Sequence, residues 1–152
     1  MKTQVTGSRK YLPTLSDLID RLTIVQQKQI FIPDRRKEYG EERDLLLHDI
    51  GLLMAEKPMT AKAVWAITVI QLTNRCIWEN ETKIRDGSSD EPPDVQLKRL
   101  KLTHSINGVR NTAKNVLAEE CGGRHDYKLD ALSADLPPEF GAWNIFKIEN
   151  GD

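Results

Sequence analysis

Two segments of this 152-residue chain carry residue types suited to recognising a small polar molecule. In one, Asn74, Trp78, Glu81 and Arg85 follow at steps of four, three and four, which lays them on one face of a helix. In the other, His104, Asn107, Asn111 and Asn115 recur at steps of three, four and four, flanked by Arg110 and Lys114. Arginine grips a phosphate with two parallel hydrogen bonds, amides read hydroxyls, and a Trp ring covers the face of a sugar or base. The ligand class that suits such a set is an anionic, hydroxyl-bearing small molecule: a sugar phosphate, a nucleotide or a nucleotide sugar. The candidate binding residues are Trp78, Glu81, Arg85, His104, Asn107, Arg110 and Asn111, with Asp20 and Arg21 contributed from an earlier helix. Glu81 is the one candidate catalytic group, as general base or as the residue that orients an arginine. No cofactor and no metal is expected.

The same residues admit plainer readings. Asn costs about 0.5 kcal/mol in a helix interior because its amide competes for nearby backbone groups. Such a row is therefore either a solvated face or one committed to hydrogen bonds, with a ligand or with a neighbouring helix. In the last case the polar residues form a buried network that fixes how the helices meet, and the chain is a non-catalytic interaction or structural protein. Glu81 and Arg85 also make an ordinary i,i+4 pair worth 0.2–0.5 kcal/mol. Asp17, Arg21 and Lys28 share a face that reads as solvated, while Cys76 reads as core.

Four amphipathic helices must position these groups, which makes the fold all-α: an antiparallel bundle in a single domain, residues 1–152. The first helix opens at a capping-box-like Thr14–Asp17 pair, carries Leu15, Leu18, Ile19, Leu22 and Val25 at helical spacing, and ends near Ile30. Pro33 breaks it, and Asp34 is expected to cap a second helix that runs to Glu56 on Tyr39, Leu46, Ile50, Leu53 and Met54. The third runs from about Thr60 to Arg85, with Val64, Ile67 and Ile70 as core before its face turns polar at Asn74. A Gly/Ser/Pro-rich loop follows, then a fourth helix from Asp94 to Glu120, stopped by Gly122 and Gly123. Its core stripe is Leu102, Ile106, Val109, Ala113 and Val116, within about 60° of arc and nearly opposite the Asn row. Residues 1–11 read as a loose arm and 121–152 as an irregular extension. The extension contains a short helix at Leu129–Ala134, a Pro137–Pro138 turn and the apolar residues Phe140, Trp143, Ile145, Phe146 and Ile148. So much apolar surface must be covered, either along the bundle or against a second chain, a second copy in a homo-oligomer or another protein.

Composition narrows the classes further. With 39% hydrophobic and 30% charged residues the chain has material for a core, and 22 basic against 23 acidic residues argue against general nucleic-acid binding. No apolar run reaches the roughly 18 residues of a membrane span, and residues 1–10 do not resemble a signal peptide. The two cysteines, Cys76 and Cys121, read as free thiols, so the expected location is cytoplasmic, without membrane association.

The string from Asn74 to Arg85 resembles the Trp-x-x-Glu-x-Lys-x-Arg segment of a family of short all-helical bacterial and phage proteins of unknown function, often encoded near glycosyltransferases. Ile106–Asn107–Gly108–Val109–Arg110–Asn111 resembles that family's Leu-Asn-x-x-Arg-Asn segment, and Leu18–Ile19–Asp20–Arg21–Leu22–Thr23–Ile24 its opening helix. The segments occur in the same order over about half the chain. The resemblance implies an all-helical fold, the same candidate site, and a link to glycan or nucleotide-sugar metabolism in a bacterial or phage-infected cell. It implies no reaction. Glu79 and Thr82 stand where the family tends to carry His and Asp, and Thr112–Ala113 where it tends to carry an acidic pair.

A third possibility is a Mg²⁺-dependent nucleotide pyrophosphohydrolase of the all-α kind. Glu41, Glu42, Asp44 and Asp49, with Glu79, partly imitate its carboxylate clusters. The Glu-x-x-Asp spacing does not recur cleanly. No phosphate-cradling Gly loop is present: Gly122–Gly123 follows a helix C-terminus, whose dipole repels anions. His48, His104 and His125 fall on separate elements, without metal-ligand spacing.

Overall fold

A computed structural model of the chain describes residues 7–87 and 91–124. The expectations for residues 125–152, including the aromatic extension and His125, lie outside the described residues. Among the described residues all regular structure is helical: α1 (Leu15–Phe31), a 3₁₀ turn (Pro33–Arg35), α2 (Arg36–Glu56), α3 (Ala61–Gly87) and α4 (Pro93–Cys121).

Local chemistry sets the boundaries. Thr14 and Asp17 form a reciprocal capping box at the start of α1, with Asp17 N–H donating to Thr14 Oγ1 (3.3 Å) and Thr14 N–H donating to Asp17 Oδ2 (3.0 Å). Asp34 does not cap α2; it sits inside the 3₁₀ turn, and no side chain caps that helix. Thr60 caps α3 by accepting from the Ala63 N–H at 3.1 Å, and its hydroxyl donates to Glu120 near the end of α4. A bidentate Arg99–Glu91 pair, 2.6 and 2.7 Å, anchors the residues that lead into α4.

The helices form two hairpins, α1 with α2 and α3 with α4, and α1 also contacts α3 and α4. Cross-helix bonds join the two helices of each hairpin and, between α3 and α4, fix an antiparallel register. Arg43 of α2 reaches Gln29 of α1, while Arg21 of α1 pairs with Glu42. Asn80 of α3 donates to the Arg99 carbonyl and to Thr103 of α4, at the end opposite the Thr60–Glu120 contact. Gly40 packs close to α1: a Cβ there would lie 3.2 Å from Gln29 Nε2, a contact the flexible Gln29 side chain could relieve by a small shift. Gly123 has φ +145°, and a Cβ there would lie 3.2 Å from Thr14 Cβ, so only glycine suits this close approach between the end of α4 and the start of α1.

The core joins Leu15, Leu18 and Ile19 of α1, Ile50 of α2, Ala63, Ala66, Val69 and Ile70 of α3, and Val109, Ala113, Val116 and Leu117 of α4. Val25, Ile70 and Leu117 are its largest fully buried side chains, each worth about 1.5–3 kcal/mol of burial. On α3 the buried face differs from the expected one. Val64 is 51% exposed and Cys76 is also exposed, whereas Ala63, Ala66, Thr73 and Asn80 are buried. The inward arc is thus turned about one residue from the Val64–Ile67–Ile70 stripe. Ala63, Ala66 and Thr73 share this buried arc with Val69 and Ile70. Met54 of α2 is 39% exposed, and only Gly40 and Ile50 of that helix are buried. Among the described residues no helix is long and apolar enough to cross a membrane.

Candidate functional site

The polar groups that meet between helices are organised around Asn74, which is 5% exposed. Its Nδ2 donates to Asp20 Oδ1 at 2.7 Å and to Thr23 Oγ1 at 2.8 Å, both on α1. Its Oδ1 accepts from Arg110 Nη1 of α4 at 3.2 Å. A single α3 amide therefore ties three helices together. Lys114 Nζ lies 3.3 Å from Asp20 Oδ2 and 3.4 Å from Asp17 Oδ1, while Ser16 Oγ donates to the Lys114 carbonyl. The side chains of Asp20 and Lys114 are only 14% and 17% exposed, so this pair is better shielded from water than an ordinary surface pair. Burial pushes the Asp17 carboxyl up, but hydrogen bonds from the Thr14 backbone and hydroxyl, together with the Lys114 ammonium, outweigh it and hold the group below its ordinary value.

Beside this network opens a cavity of about 420 Å³, within the range of small-molecule sites. Trp78, Glu81 and Arg85 of α3 and Arg110 of α4 line it, as the sequence pattern anticipates. Ile24 and Lys28 of α1 and Asn74, Ile77 and Thr82 of α3 complete the wall. Glu81 and Arg85 touch at 3.3 Å in a solvent-exposed i,i+4 pair. Lys28 and Arg110 have no ion-pair partner among the described residues; Lys28 lies over the Tyr39 ring at 5.7 Å, and the buried Arg110 Nε has no hydrogen-bond partner. Three cations thus face one carboxylate around this space.

The other residues expected at the site lie elsewhere. Asp20 stands behind the cavity wall, holding Asn74. Arg21 points to α2, where it pairs with Glu42. His104 is exposed, Asn107 is half-buried and Asn111 is buried, and none of the three lines the cavity. The face of Asp17, Arg21 and Lys28, expected to be solvated, divides three ways: to the α4 network, to α2 and to the cavity. Sequence reasoning placed Asn74 on the right face but missed its link to Thr23 and the position of Lys28, because both depend on which helix lies opposite. The buried Asn80 was missed for the same reason.

A second cavity, about 360 Å³ and mainly apolar, lies between α1, α2 and α3. Arg43, the one charged group in its wall, is already bonded to Asp44 at 2.7 and 2.9 Å. Of the acidic residues that suggested a Mg²⁺ cluster, Glu42 pairs with Arg21, Asp44 with Arg43 and Glu79 with Arg75. Among the described residues no three acidic, His or Cys side chains converge in a metal-binding group. No family model matches the chain, and neither the curated proteins nor the solved structures include a match.

Proposed function

We propose that this protein is an antiparallel helical bundle that binds an anionic, hydroxyl-bearing small molecule, of the sugar-phosphate or nucleotide-sugar type, in the cavity between α1, α3 and α4. The observation that carries this reading is the pair of cations without an ion-pair partner, Lys28 of α1 and Arg110 of α4, lining a cavity that also presents Trp78. A partly buried guanidinium without a counter-ion is unfavourable by itself, and a phosphate that accepts from its N–H groups relieves that cost. Trp78 supplies an apolar wall for a sugar or base, and Thr82 a hydroxyl at the rim. The sequence resemblance to bacterial and phage proteins encoded near glycosyltransferases points the same way, and a cytoplasmic site of action accords with such a ligand.

A second reading is supported by Asn74, whose bonds to α1 and α4 suit a network that fixes helix packing in a non-catalytic interaction protein. Thermal unfolding against a panel of sugar phosphates, nucleotides and nucleotide sugars separates the two. A ligand site predicts a rise in midpoint with at least one of them, lost in Arg110→Ala, while the variant alone unfolds within a few degrees of wild type. A packing network predicts that Arg110→Ala loses about 1.5–3 kcal/mol, the worth of a hydrogen bond to a charged group and roughly 5–10 °C in a chain of this size, with no response to any of the compounds.

A further inference from the structure

Asp20 and Arg110 carry opposite charges on neighbouring helices and both touch Asn74, yet they do not pair with each other. The amide stands between them. Its donor end serves the carboxylate and the Thr23 hydroxyl, and its acceptor end serves the guanidinium. The other oxygen of Asp20 is held by Lys114 at 3.3 Å. Arg110 is therefore held in place by a neutral oxygen and keeps its full charge, with no carboxylate partner among the described residues and a buried Nε–H without an acceptor. An aspartate at position 74 would position the guanidinium equally well but neutralise it. An alanine would leave it free to turn toward Asp20, the nearby attraction that the amide intercepts.

Resting on the ligand-site reading above, we propose that Asn74 is the positioning residue of this cavity: it insulates Arg110 from Asp20, so that the counter-charge must come from the ligand as a dianionic phosphoryl group. The surplus of two positive charges around the cavity, with Lys28, Arg85 and Arg110 against Glu81, sets the charge class. A phosphate monoester or a diphosphate matches it, whereas a single carboxylate leaves one cation unmatched. Three acceptor oxygens on a phosphoryl group also allow Arg110 Nε and Lys28 Nζ to be bonded together, which the two oxygens of a carboxylate do less readily.

Titration calorimetry with glucose 1-phosphate, UDP-glucose and glucuronate as probes tests this on wild type, Asn74→Asp and Asn74→Ala. Wild type is expected to bind at least one phosphorylated probe ten or more times more tightly than glucuronate. Asn74→Asp, folded by circular dichroism, is expected to lose ten-fold or more of that affinity because its carboxylate occupies Arg110. Asn74→Ala is expected to fall between the two, and it decides the matter if the aspartate variant does not fold. A residue that only holds helices together would lower the unfolding midpoint and leave the affinity of the folded protein unchanged. Phosphate affinity equal to wild type in either folded variant overturns the insulating role of Asn74. Equal affinity of wild type for glucuronate overturns the charge class. Wild type that binds neither phosphorylated probe overturns the ligand-site reading itself, and this proposal with it.

Discussion

Asp17 serves three partners with one carboxylate. One oxygen closes the capping box with Thr14, and the group also meets Lys114 of α4 and Arg124 just beyond that helix. Burial pushes the Asp17 carboxyl up, but the Thr14 backbone and hydroxyl and the Lys114 ammonium outweigh it and hold its pKa below the ordinary carboxylate value, so the folded state binds this proton less readily than the unfolded chain. The stability this confers is present above the unfolded value, near 3.9, and is lost as pH falls through the lower folded value. The unfolding midpoint of wild type should therefore exceed that of Asp17→Asn most at neutral pH, with the gap closing as the pH falls below about 4. A gap that widens on acidification would mean the carboxylate is not stabilised by the fold. Thr14→Ala removes the other half of the box and should cost about 1 kcal/mol at neutral pH, and less once Asp17 is protonated, because its hydroxyl donates to that carboxylate. The capping box was legible in the sequence because it is local, three residues apart. The Asp17–Lys114 contact was not, since nothing within α1 distinguishes a carboxylate facing water from one facing a lysine on α4.

At the scale of elements, the helices and their ends followed from caps, Pro breaks and apolar spacing to within a few residues. The inward face of α3 did not. Two arcs compete along it: a bulky one through Val64 and Ile67, and a small one through Ala63, Ala66 and Thr73. Hydrophobicity favours the first, but the fold buries the second, and this shift also carries Cys76 outward. Ile70 belongs to both arcs and is fully buried, so Ile70→Ala should destabilise by about 2–5 kcal/mol. Leu45 of α2 has the same hydrophobic character but is 72% exposed, and Leu45→Gln should stay within about 0.5 kcal/mol of wild type. Urea titration of the two variants checks this; equal losses would mean that the α2 surface is covered by something else.

In the molecule as a whole, neutrality conceals an uneven placement of charge. Twenty-two basic and 23 acidic residues nearly cancel, yet the cavity between α1, α3 and α4 retains two cations without an ion-pair partner among the described residues. Composition could not show that, because it records how many charges there are and not which ones the fold leaves unmatched. Spacing along the chain brought Trp78, Glu81 and Arg85 together correctly, and the tertiary arrangement added Lys28 and Asn74 while leaving out His104, Asn107, Asn111 and Arg21. We propose that Arg110 and Trp78 receive the phosphorylated ligand, and the measurement that decides it follows the Arg110 Nε–H and Trp78 indole N–H signals in a nitrogen–proton correlation spectrum as UDP-glucose or glucose 1-phosphate is added. Saturable shifts of both signals, with the Trp65 indole unmoved, are the predicted result. Signals at Arg110 and Trp78 that stay fixed at millimolar concentrations of both compounds would contradict it.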